Sequence, residues 1–184
     1  MRKVVAREPV LASAMPAPGE PSSDVGEPIA LLLGYLDFFE DVTLRKVSGL
    51  TEDRLRASTV PSGWTPLGLI KHLGCTERFW TRHIFLGEHV DFSWPGHPDA
   101  EWRVEDTEST EFITSFYRSE RAHTRHALAG LPASTPGRRP FRRDGDGMPP
   151  TLGWVLCHLV QQAARHAGHL DIARELTDGS VGSD

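Results

Sequence analysis

Four stretches of the chain repeat apolar residues at helical spacing over roughly 20 to 26 residues each, and none alternates apolar with polar residues as a half-buried strand would. The first, IALLLGYLDFFEDVTLRKVSGL, begins after Pro28 and ends in Gly49. The second enters through Thr65, whose hydroxyl is placed to cap a helix with Pro66 as its first residue. It continues through LGLIKHLGCTERFWTRHIFLGE to a stop near Gly87, with Leu69, Ile70, Leu73, Trp80 and Ile84 as its apolar stripe. The third, STEFITSFYRSERAHTRHALAGL, is expected to take its cap from Asp106 or Thr107. Glu108 and Glu111 then fall in its first turn, where the helix dipole favours acids, and Gly130 or Pro132 ends it. The fourth starts on a Thr151 cap and runs to about Leu176, ahead of Asp178 and Gly179. Helices of this length and patterning point to an all-α fold, an antiparallel four-helix bundle.

The rest of the chain bounds what such a bundle does. Residues 1–27 are rich in Pro, Ala, Gly, Ser and Glu, with too little apolar surface to offset the entropy of ordering. Arg7, Glu8 and Pro9 interrupt the N-terminal apolar stretch before it reaches the roughly 7 to 15 residues of a signal peptide core. The expected organisation is therefore a flexible extension at 1–27, a bundle domain at 28–178 and a short tail at 179–184, in a cytoplasmic protein. A net charge of -5 and a pI near 6.0 argue against nucleic acid as a partner. No apolar run approaches the roughly 18 residues of a membrane span. Cys75 and Cys157 belong to no CxxC pair and read as buried, reduced thiols. The arginines of GRRPFRRDGDG are interrupted by Asp144 and Asp146, which reads as a solvated loop rather than a phosphate site. Trp94 and Trp102 stand in a long irregular segment, 89–106, and are expected to fold it back onto the helices.

The histidines separate by angle. At about 100° per residue, Leu152, Val155, Leu159, Ala163, Leu170 and Ala173 mark the core face of the last helix, and His166 falls inside that stripe. Gln162 lies at its edge one turn earlier, and His169 a little further round on the same edge. His158 lies further out beside Gln161 and Arg165 and reads as surface. On the second helix, His72 borders the apolar stripe on a face shared with Thr76, Phe79 and His83, while Glu77 falls by angle between Ile70 and Ile84. His83, His89 and His97 occupy a helix end and a loop and read as solvated; His123 and His126 read as incidental helical histidines. An imidazole on a core face needs a partner, because leaving it unpaired costs about 1 to 3 kcal/mol. His72 and His166 are thus either satisfied core histidines or ligands of a metal held between two helices.

WTPLGLIKHLGCTERFW, followed after a further helix by TLGWVLCHLVQQAARHAGHLDIARELTDG, resembles the DinB/YfiT-like superfamily, most closely the branch once grouped as the domain of unknown function DUF664. The resemblance covers about residues 28–178. It implies an up-down-down-up four-helix bundle, commonly a homodimer, with a divalent metal held by three inward side chains. The ligand from the second helix matches His72, and the later of two ligands on the last helix matches His166. The earlier one is histidine in many members and glutamate in the mycothiol-dependent maleylpyruvate isomerase-like branch; here it is Gln162, a neutral and weaker donor. His169 turning toward the metal, or Glu77 supplying charge, would compensate.

Three protein ligands leave a coordination position open, as in catalytic zinc sites. The resemblance implies zinc, with nickel as an alternative, and a low-molecular-weight thiol such as mycothiol or bacillithiol activated as nucleophile. The implied activity is that of a thiol S-transferase or thiol-dependent isomerase, with Trp80, Trp94 and Trp102 as candidate pocket walls. Two other readings stay open: a metal-assisted hydrolase using Asp171 or Glu77 as base, and a non-enzymatic metal-binding or structural dimeric bundle whose site has lapsed.

Overall fold

The computed structural model describes residues 19–91, 99–141 and 147–181. Among them every extended regular element is helical: α1 (Pro28–Val47), α2 (Glu52–Arg56), α3 (Pro66–Glu77), α4 (Thr110–Leu128) and α5 (Leu152–Asp178). A π-helical segment, Arg78–Phe85, prolongs α3 without a break. The only pairing of strand type among the described residues is an isolated bridge between Pro136 and Thr151. None of these helices is long and apolar enough to cross a membrane.

Local chemistry sets most of the boundaries. Thr65 caps α3 by accepting a hydrogen bond from the Gly68 N–H at 3.0 Å, with Pro66 as the first helical residue. Thr151 caps α5 in the same way, accepting from the Trp154 N–H, and Gly179 closes it in the left-handed region at φ 77°. Gly49, at φ 77°, lets the chain turn out of α1. The connector after α1 holds an element that apolar periodicity does not announce: α2, one short turn with Leu55 buried and an Arg56–Glu52 ion pair on its outer side.

Two boundaries differ from expectation. α4 is capped by Ser109, which accepts from the Phe112 N–H at 3.0 Å, and not by Asp106 or Thr107. Glu108 lies before the helix, while Glu111 does occupy its first turn. The cause is Lys71, a fully buried amine that donates to Glu108 Oε2 at 2.8 Å. A buried ammonium requires a counter-charge, so Glu108 is drawn down to α3 and winding begins only after it. The second difference is the π-helical segment, where the Leu86 N–H reaches back five residues to the Thr81 carbonyl. Side chains beyond Glu77 therefore lag the regular 100° progression, and Trp80 packs half-buried against the first apolar cluster.

The most extensive helix pairings are α1 with α5 and α3 with α4. One apolar cluster gathers Leu33, Leu36, Phe85, Leu128, Leu152 and Leu156. Another gathers Leu67, Leu73, Ile113, Tyr117 and Leu170. Between these levels of α3 and α4 runs a buried polar band. Arg121 donates to Glu77 at 3.0 Å, to Asp37 at 3.1 Å and to the Leu33 carbonyl at 3.2 Å. Beside it Arg78 donates to Glu120, and Thr124 to Thr81.

Candidate functional site

The core-facing histidine of α5 meets that of α3. The His72 and His166 rings stand edge to face with centroids 5.1 Å apart. His169, one turn further along α5, brings its Nδ1 to 3.2 Å from Nδ1 of His166. Two indoles flank the group: Trp102 stacks on His72 at 3.7 Å, and Trp64 lies 6.0 Å from His169. Glu101 places Oε1 at 3.3 Å from His72 Nδ1. That contact is within ion-pair range but off the line of a hydrogen bond, and the buried Nδ1 has no proper hydrogen-bond partner.

The segment carrying Glu101 and Trp102 is tied down from several directions. A turn closes with the Trp102 N–H on the Asp99 carbonyl at 2.9 Å. Lys71 donates to the Arg103 carbonyl at 2.7 Å. Arg56 reaches across from α2 to the carbonyls of Glu105 and Glu108. The closest approach is at Gly68, where a Cβ would sit 2.3 Å from the Trp102 carbonyl oxygen, so only glycine lets the segment rest this close to α3.

Burial keeps the His166 imidazole neutral. The residue is 6% exposed, and its pKa is pushed down to about 4, first by desolvation and then by the neighbouring His72, His169 and Arg165. At neutral pH it therefore offers a lone pair rather than a charge. These donors fit a divalent transition metal in chemistry: imidazoles from two helices, with His72 Nδ1 a buried and unsatisfied nitrogen, and a carboxylate beside it. The 3.2 Å between the His166 and His169 nitrogens is a hydrogen-bond length, and also close to the roughly 3.3 Å edge between two nitrogens on one tetrahedral ion. Among the described residues no three His, Cys, Asp or Glu side chains already form a complete ligand group.

The other residues singled out by sequence scatter. Gln162 is half-buried one turn before His166 and makes no hydrogen bond among the described residues. Glu77 is committed to Arg121, and Asp171 pairs with Lys46, so neither stands as a base at the histidines. His158 is not a surface residue: it is half-buried, with Trp154 stacked on it at 5.2 Å and Trp80 at 4.5 Å, and burial lowers its pKa. His83 is likewise half-buried against Phe79 rather than solvated. His89 and His126 are exposed, and His123 lies 3.3 Å from Glu88.

Cys75 is buried and its thiol is pushed up to about 12, chiefly by desolvation; Cys157 is exposed, because Leu156 takes the core position beside it. Arg139 donates to the Gly87 carbonyl, whereas Arg142, Arg143, Trp94 and His97 lie outside the described residues. Trp80 packs with Phe141 and Trp154, away from the histidine group's own tryptophans. Glu101 and Trp64 were not singled out by sequence. No periodicity marks either residue, since both stand in connectors whose placement depends on long-range contacts.

Comparison with curated proteins finds no match. A family model described as mycothiol-S-transferase matches residues 31–179, a span that takes in all of the site and every long helix but for the first turn of α1. The chain belongs to the mycothiol-S-transferase family.

Proposed function

We propose that this chain transfers or otherwise uses a low-molecular-weight thiol, mycothiol by its family, at a divalent metal site built on His72 and His166. The observation that carries the reading is the meeting of imidazoles from α3 and α5, the α5 one held neutral by burial, beside an unsatisfied buried nitrogen. His169, with its nitrogen already at 3.2 Å from that of His166, is the nearer third donor; Gln162, with no hydrogen bond of its own among the described residues, is the weaker one. Zinc, or nickel, bound there would supply the charge that turns a thiol into a thiolate at neutral pH.

The surrounding residues do the positioning. Trp102 covers one face of His72 and keeps water from it. Glu101 beside His72 Nδ1 favours one ring orientation, as carboxylates behind ligating histidines do. The hydrolase reading loses its two bases to ion pairs elsewhere. The non-enzymatic reading draws on Gln162 standing where relatives of the superfamily resemblance carry histidine or glutamate.

The same proposal takes residues 28–178 as one up-down-down-up antiparallel bundle. Its support is the order of contacts: Lys71–Glu108, Arg78–Glu120 and Thr81–Thr124 advance together along α3 and α4. Lys46–Asp171 joins the C-terminal ends of α1 and α5, while Asp37 of α1 meets Arg121 and Arg125 of α4. A homodimer in the cytoplasm completes the proposal. The test is consumption of mycothiol with an electrophile such as monochlorobimane, with and without added zinc or nickel. Metal-dependent conjugation absent in His166→Ala supports the reading, and metal-independent conjugation in both proteins contradicts it.

A further inference from the structure

Lys71 and His72 are neighbours on α3, and both reach the segment that follows Asp99. His72 stacks on Trp102, with ring centroids 3.7 Å apart. Lys71 donates to the carbonyl of the next residue, Arg103, at 2.7 Å, and to Glu108 Oε2 at 2.8 Å. Glu108 Oε2 accepts in turn from the Glu105 N–H at 2.8 Å. One ion pair thus fixes the backbone at residues 103 and 105, directly after the indole that covers His72.

The pair is poorly explained as a source of stability. Lys71 is fully buried, Glu108 is 8% exposed, and Glu108 Oε1 has no hydrogen-bond partner among the described residues. Taking both charges out of water costs much of what their attraction returns, and apolar side chains of similar volume hold a fold about as well. Trp102 and Val104 already pack against the second apolar cluster and hold the segment down. Apolar contacts lack direction, however, and let a segment slide along a helix. Bonds from a fixed ammonium to one carbonyl and one carboxylate do not.

The site has little room for such sliding. At Gly68, one turn before His72, the Trp102 carbonyl lies where a Cβ would come within 2.3 Å of it. Glu101 Oε1 stands 3.3 Å from His72 Nδ1. A slip of about 1 Å is enough to spoil a preorganised group of this kind.

We propose that Lys71 and Glu108 are positioning residues for the histidine group: their ion pair sets the register of the segment on α3 and so seats Trp102 and Glu101 on His72, while the fold itself does not need it. The seating stands without a metal; its consequence for metal affinity rests on the metal-site reading above.

The test follows the His72 ring protons by NMR in the metal-free full chain with labelled histidine. Stacking on an indole shifts them upfield, by an amount that Trp102→Leu removes. The double variant Lys71→Met, Glu108→Leu exchanges the pair for apolar side chains of similar volume. Its His72 signal should move to the Trp102→Leu position, with the urea midpoint of the parent retained. Gly68→Ala keeps the pair but pushes the Trp102 carbonyl away, and should move the signal in the same direction. His158, stacked on Trp154 in a separate aromatic cluster, should not move in either, which tells lost register from general loosening. Arg103→Ala removes an exposed side chain and leaves the carbonyl that Lys71 uses, so nothing should change. A double variant that fails to fold, or a His72 signal unmoved in it or in Gly68→Ala, overturns the proposal.

Zinc affinity, read by competition with a chromophoric chelator, separates this inference from the reading beneath it. The double variant and Gly68→Ala should each bind zinc about tenfold more weakly than the parent, as happens when a ligating histidine loses its outer partners. A His72 signal that moves as expected in a chain that binds no zinc keeps the positioning and sinks the metal site. A parent that binds zinc, with both variants binding it equally well, does the reverse.

Discussion

Two of the buried polar groups in this helical protein are built on opposite principles. The band around Arg121 is nearly closed: the guanidinium reaches Glu77, Asp37 and a backbone carbonyl, with Arg121 Nε and Glu120 Oε2 left without a hydrogen-bond partner among the described residues. The histidine group is open. His72 Nδ1 is buried without a proper hydrogen bond, His166 is held neutral by its surroundings, and Gln162 makes no hydrogen bond among the described residues. Buried charges that find one another offset much of their desolvation cost. Buried donors left short of partners are costly to a fold, and such cost persists where something else binds.

Breaking the closed group should have the largest effect. Arg121→Ala leaves Glu77 buried without its counter-charge and is expected to cost about 3–5 kcal/mol in urea unfolding, with the histidine group intact in whatever protein still folds. Acid should sharpen the contrast next. His166 has a folded pKa near 4 against 6.5 for the free side chain, so the unfolded chain takes up the proton first. Stability is complete above pH 6.5 and is lost as the pH falls toward 4, on the order of 2–3 kcal/mol from this residue. Unfolding curves measured across that window should show the loss, and His166→Leu should flatten it. His158 and His83, both shifted down by burial, add to it in the same direction.

Gln162→Glu should tighten zinc roughly tenfold by replacing a neutral oxygen with a carboxylate, as a competition titration against a chromophoric chelator would read. The smallest effect is the most diagnostic. In metal-free protein, His166→Leu should be neutral or stabilising by about 1 kcal/mol, because it replaces a buried imidazole, whose hydrogen bond is to His169, with an apolar side chain. An equal change at Arg121 could not be.

Sequence legibility divides along the same line. α1, the capped start of α3 and the whole of α5 are readable because their signals are local: Thr65 and Thr151 cap within three residues, and the stripe that contains His166 is regular. The start of α4 is not, because Lys71, far away in the chain, claims Glu108. His158 is misplaced by an ideal wheel, since Trp80 and Trp154 build an aromatic cluster over it. His72 and His166 could be named from pattern and resemblance. Glu101 and Trp64 depend on how a connector folds over α3, which no periodicity encodes.

The central claim is that the open group is a metal site, and metal content tests it most directly. Untagged protein purified without chelator, incubated with zinc or nickel and desalted, should carry about one transition metal per chain by plasma mass spectrometry. His72→Ala and His166→Ala should carry none, while Arg103→Ala keeps the full amount. An unmetallated parent protein, or metal retained in both histidine variants, would contradict the account.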